Sequence, residues 1–173
     1  YSAFVIIDIS EIPYKVVGKY KNNEISPLLF PEIIYNTAKS YNDSYVLIEI
    51  NDIGGQVADI LHHDLEYDNL LMSSIKGRAG QRIGGGFGAN VVKGVRTTKQ
   101  VKSIGCSNLK DMIETDKLIV NDFDILTELS NFVSKKTSLE YPETNFISQL
   151  LELNLGVNSI FLFSIFNISV IYF

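Results

Sequence analysis

The 173 residues suffice for one domain with a sizeable core, and 46% hydrophobic with 20% charged residues is an ordinary globular balance. A net charge of −5 excludes a broadly basic nucleic-acid binder, though it leaves room for a local basic stripe. The single cysteine, Cys106, excludes an internal disulfide and a multi-cysteine zinc site, and it reads as a small core residue in a reducing compartment.

Ala3–Ser10 and Tyr14–Asn22 read as two strands joined by a turn at Glu11-Ile12-Pro13. The strand pattern begins at the first residues, so the chain is expected to enter a domain partway, with one strand ahead of Tyr1. Asp8 reads as a strand-end residue before the turn rather than a metal ligand. In the second strand Lys15, Val17, Lys19 and Lys21 alternate with Tyr14, Val16, Gly18 and Tyr20, which predicts a near-edge strand with its lysines outward.

Ser26-Pro27 predicts a helix start, with Leu28, Ile33, Ile34, Ala38 and Tyr41 as its apolar stripe and Asn42-Asp43-Ser44 as its end. Tyr45–Ile50 then reads as a buried, central, parallel strand. Alternation puts Tyr45, Leu47 and Glu49 on one face and Val46, Ile48 and Ile50 on the other. Glu49 stands near the C-terminal end of this strand, where open α/β sheets hold their ligands. A carboxylate buried there is costly without a partner, and on residue types alone the default reading is a position at the strand's edge, in water or paired with a lysine.

Asn51-Asp52 is expected to cap a helix over Ile53–Leu65, with Gly54-Gly55 in its first turn and Val57, Ile60 and Leu61 inward. The adjacent His62 and His63 point about 100° apart on a helix, a poor arrangement for joint chelation. Leu70–Ser73 reads as a strand, and Lys76–Gly88 as a basic, glycine-rich loop. That loop lacks the Gly-Lys-Ser/Thr of a nucleotide-binding loop. It suits either a hairpin or contact with a phosphate backbone.

Gly94–Lys99 is expected to open a helix reaching about Thr115, with Val101, Ile104, Leu109, Met112 and Ile113 inward and Arg96, Lys99, Lys102 and Lys110 mostly outward. Leu118–Val120 predicts a short strand. Asn121-Asp122 then caps a helix from Phe123 to about Lys135, with Ile125, Leu126, Leu129 and Val133 inward. Leu153–Phe173 carries no charge, yet Asn154, Asn158, Ser159, Ser164, Asn167 and Ser169 make it too polar for a convincing membrane span.

Several ordered blocks carry a family likeness: Tyr1–Val5, Tyr14–Val17, Val46–Val57, Lys76–Gln81, Gly94–Lys99, Ile104–Lys110 and Asp116–Asp122. In these blocks the chain resembles the C-terminal nuclease domain of the large terminase subunit of T4-like tailed bacteriophages. The resemblance implies an α/β, ribonuclease-H-like mixed sheet flanked by helices, with its first strand missing here. It implies a metal-dependent endonuclease that cuts concatemeric double-stranded DNA during genome packaging. It implies a portal and a small terminase subunit as partners, the host cytoplasm as location, and no membrane.

The family site is three carboxylates holding two Mg²⁺ or Mn²⁺ ions, one activating water and the other stabilising the leaving oxygen. Glu49 matches the second carboxylate and is the expected catalytic metal ligand. The first family Asp falls ahead of Tyr1, and the third has no counterpart, since no Asp follows Asp124. Arg78, Arg96, Lys99 and Lys102 are the candidate phosphate contacts, chosen by charge and loop position.

The expected organisation is a partial nuclease domain over residues 1–136 and an atypical uncharged tail over 137–173. Codons for Glu152–Val157 exist that, read two bases later, give Ala-Glu-Ser-Gly-Cys, similar to the family's approach to its last carboxylates. A frameshifted tail is therefore expected, and the 173-residue chain with one of three ligands is expected to be inactive alone. A non-enzymatic α/β binding module and a membrane-tethered domain are the competing readings.

Overall fold

The computed structural model describes residues 2–75, 81–84, 91–131 and 168–172. Strands β1 (Ser2–Asp8) and β2 (Tyr14–Asn22) form an antiparallel pair. Helix α1 (Phe30–Ser40) follows, and then β3 (Tyr45–Ile48). Helix α2 (Gly54–Asp59) runs on as a π-helical turn over Ile60–Asp64. Next come β4 (Met72–Ile75), β5 (Gln81–Gly84) and β6 (Val91–Lys93). The helix α3 (Lys99–Glu114), β7 (Leu118–Ile119), α4 (Phe123–Ser130) and β8 (Ile168–Tyr172) complete the order.

A mixed sheet has the order β3-β8-β1-β2-β7, and a smaller antiparallel one has the order β5-β4-β6. Strand β8 lies parallel to β1 and antiparallel to β3. The expected parallel pairing of β3 is met on its other side, where Val46 bridges Leu70 and Glu49 bridges Val95 in parallel. Of the basic segment after β4, Gln81–Gly84 forms β5, which pairs antiparallel with β4, and its other residues lie outside the described ones. Among the described residues no helix is long and apolar enough to cross a membrane.

The sheet separates two apolar layers, as alternation along its strands requires. One layer gathers Val5, Ile7, Leu47 and Val95 with Leu109 and Met112 of α3 and Ile125 of α4. The other gathers Phe4, Ile6, Val46 and Ile48 with Phe30 and Ile34 of α1 and Val57 and Leu61 behind them. In that second layer Phe4, Tyr20 and Phe30 stack with ring centroids 5.1–6.2 Å apart. Residues 45–48 thus face both layers in turn, and the exposed Tyr45 marks where the strand leaves solvent.

Several boundaries differ from the sequence expectation for identifiable reasons. Helix α1 starts at Phe30 rather than Ser26: Pro27 and Pro31 both suit a first turn, and the burial of Phe30 against Phe4 and Tyr20 selects the second. Ser26 instead anchors a turn, its carbonyl accepting from the Leu29 and Phe30 amides. Gly94 and Val95 are ladder residues, not helix, and α3 begins only after Thr98, whose hydroxyl accepts from the Val101 amide at 3.2 Å. Ile104 and Ile113 lie on the solvent side of α3, where Gly105 faces inward instead. Leu126 is likewise outward on α4, while Val133 lies outside the described residues.

Lys19 also departs from the outward pattern, because α4 covers it. Its ammonium reaches Asp122 Oδ1 and Asp124 Oδ2, each at 2.6 Å. Asp122 Oδ1 also accepts from the amides of Asp124 and Ile125 and so caps α4. Burial pulls the Lys19 pKa down, but the hydrogen bonds to the two carboxylates outweigh it and leave it raised. Burial pushes Asp122 up, but the Lys19 hydrogen bond and the Ile125 amide bring it below its ordinary value.

Candidate active site

Glu49 is 1% exposed, which removes the solvated-edge alternative. It lies one residue past β3, in the ladder that joins this strand to Val95. The Val95 amide donates to the Ile48 carbonyl and the Ile50 amide donates to the Val95 carbonyl, both at 2.8 Å, so the two bonds bracket Glu49. In a parallel ladder such partners share a face, and Glu49 therefore stands on the layer that holds Leu47, Val95 and α3.

Two glycines let other backbone close on this peptide. Gly94 has φ +95°, and a Cβ there would come within 2.2 Å of the Ile48 carbonyl oxygen. Gly54, at the first turn of α2, packs against the Glu49 carbonyl. Between them the chain reverses at Asp52, whose φ of +48° ends the strand.

The ladder goes one step further than its backbone allows. Asn51 Nδ2 donates to the Thr97 carbonyl at 3.0 Å, and the Thr97 amide donates to Asn51 Oδ1 at 3.1 Å. This places the segment Arg96–Lys99, which leads into α3, at the same end of the strand as Glu49. Arg96 and Lys99 are exposed there and Lys102 is half-buried one turn later. Arg78, the fourth candidate phosphate contact, lies outside the described residues.

Other carboxylates are elsewhere. Ile48 aligns through Ser169 with Phe4, and Tyr45 aligns through Tyr172 with Ile7. Glu49 is therefore level with Ala3, at the end where β1 begins, and Asp8 is at the opposite end, roughly 17 Å away along the strands at about 3.3 Å per residue. The Ser10 hydroxyl and amide both donate to Asp8 Oδ1, at 2.6 and 2.9 Å, the arrangement of a strand-end turn. The hydroxyl first, then the amide, holds the Asp8 carboxyl below its usual value.

The adjacent histidines do not form a chelate. Lys93 Nζ bonds His63 Nε2 and Asp59 Oδ1, so an ammonium already stands between the helix side chains that a cation would need. Among the described residues no group of three His, Cys, Asp or Glu side chains is arranged to hold a metal ion. Mg²⁺ demands a near-octahedral set of oxygens, and Glu49 supplies one carboxylate toward it. The described residues therefore do not complete a cation site.

Sequence reasoning singled out Glu49 and the cations of α3, but it missed Asn51 and Thr97 as the link between them. The available signal was an asparagine directly at the exit of a strand whose next residue must turn. Residues 1–143 match the sequence profile of the terminase RNaseH-like domain family.

Proposed function

The chain belongs to the terminase RNaseH-like domain family, its mixed sheet flanked by helices is the ribonuclease-H-like α/β fold, and from that premise we propose that it is the DNA-cutting domain of a viral genome-packaging motor. The family is one of nuclease domains. The finer reading is a metal-dependent endonuclease of a T4-like tailed bacteriophage, acting on concatemeric double-stranded DNA in the host cytoplasm. Portal and small terminase subunit are its proposed partners.

One observation carries the reading. Glu49 is fully buried at the C-terminal exit of a strand whose backbone is clamped on both sides. Burying a carboxylate is unfavourable, and such a position is retained where the charge has a chemical role. Mg²⁺ or Mn²⁺ is the cofactor this reading requires, and Glu49 is the described residue that would ligate it. Arg96, Lys99 and Lys102 at the start of α3, together with Arg78, are proposed to take phosphates of the duplex backbone. These cations seat the duplex by charge, without reading its sequence.

Nicking of supercoiled plasmid by the full-length protein in Mg²⁺ or Mn²⁺ tests the proposal. Metal-dependent cutting that disappears in Glu49→Ala is expected. Cutting that survives the substitution unchanged, or none by the parent, would overturn it.

A further inference from the structure

We propose that Asn51 is a positioning residue, which holds the basic start of α3 in register with the Glu49 carboxylate. The inference rests on the nuclease reading and extends it to a residue that carries no charge.

In a regular parallel ladder the residue after the Val95 rung would bond the β3 backbone itself. That backbone is not available, because the chain turns at Asp52 with φ +48° and enters α2. The Asn51 carboxamide replaces it, with Oδ1 standing in for a strand carbonyl and Nδ2 for a strand amide. Only this orientation of the carboxamide satisfies both Thr97 groups, since the reverse would oppose donor to donor and acceptor to acceptor.

Val95 and Thr97 both turn their amide and carbonyl toward the Glu49 strand. Alternate residues of an extended chain do this, and their side chains share a face. Thr97 is consequently on the same face as Val95 and Glu49. It is 8% exposed, and its hydroxyl oxygen has no hydrogen-bond partner among the described residues. Arg96, between them, takes the opposite side and is exposed. Thr98 follows and caps α3. One carboxamide thus sets the spacing from the buried carboxylate to Arg96, to the helix cap and to Lys99. Breaking it leaves both the core layers and the helix intact, but frees the segment between them.

The test uses the chain with Asn51→Ala and Asn51→Asp, and reads affinity for a short fluorescein-labelled DNA duplex by anisotropy. Two hydrogen bonds at stake predict about ten-fold weaker binding for Asn51→Ala. Asn51→Asp keeps an acceptor for the Thr97 amide but loses the Nδ2 donor to the Thr97 carbonyl, and is expected to weaken binding to a similar degree. In an Arg96→Gln background Asn51→Ala is expected to cost about two-fold or less further, because residues that act through one contact are not additive. A merely structural loss would add in full. Amide hydrogen exchange at Thr97 is read in parallel, with faster exchange expected in Asn51→Ala.

Parent-level affinity in both variants, or parent-level protection of the Thr97 amide in Asn51→Ala, would overturn the inference while leaving the nuclease reading standing. A parent that binds no duplex would overturn both.

Discussion

A Cβ placed on Gly54 would lie 1.7 Å from the Glu49 carbonyl oxygen, so the first turn of α2 rests directly on the peptide that carries the buried carboxylate. No side-chain adjustment relieves that overlap, because the obstructing atom is backbone. Gly54→Ala is therefore expected to destabilise the fold by about 3 kcal/mol or more, the upper range for overpacking. Gly55→Ala is the control, since its Cβ would meet the Ile50 carbonyl oxygen only at 3.9 Å. Chemical denaturation of the two variants checks the contrast.

Glu49 separates a structural role from a functional one. Glu49→Gln keeps the shape and removes the charge. A carboxylate kept for chemistry predicts little change in stability, since the Gln side chain keeps the shape and can still hydrogen-bond. Plasmid cutting by the full-length protein should fall by about a hundred-fold or more, beyond the usual cost of losing a supporting group around a metal. A loss of stability without loss of cutting would assign Glu49 to the scaffold.

Arg96 and Lys99 are expected to act through phosphates. Replacing either with Gln should weaken duplex binding about equally for unrelated sequences and lower the salt slope of log K by about one. Lys110→Gln, a cation paired with Glu114 near the far end of the same helix, should leave the slope unchanged. Titration of binding with salt distinguishes these outcomes.

The Lys19–Asp122 pair predicts a stability profile with two limits. Asp122 is depressed below 3.8, so its contribution is present above that value and is lost as pH falls through the lower folded value. Lys19 is raised above 10.5, so its contribution is present below that value and is lost as pH rises through the higher folded value. Asn caps a helix as well as Asp, so Asp122→Asn removes the ion pair and spares the cap. The variant is expected to be less stable than the parent by about 1 kcal/mol near neutrality, because the pair is only partly buried. The difference should close at both extremes, as urea denaturation across pH will show.

The sequence made the layers of this fold visible because burial alternates plainly. Leu47 and Ile48 fall in different cores, as alternation requires, and β1 and β2 appear where their patterns place them. Helix starts were less legible, because Ser26-Pro27 and Phe30-Pro31 both carry a starting signal and packing of Phe30 decides between them. Gly94-Val95 looked like the mouth of a helix. Its ladder role depends on a strand many residues earlier and leaves no local mark. Glu49 stood out because a charge in an apolar run is conspicuous. Asn51 did not, because a polar residue at a turn looks ordinary until its partner at Thr97 is known.

Most rungs of a sheet are written in backbone, which every residue but proline supplies alike. The rung that Asn51 makes with Thr97 is written in a side chain, so a single codon decides whether it exists. Lineages that must loosen or tighten the grip of such a domain on its substrate have there a heritable adjustment that touches neither the acidic centre nor the cores.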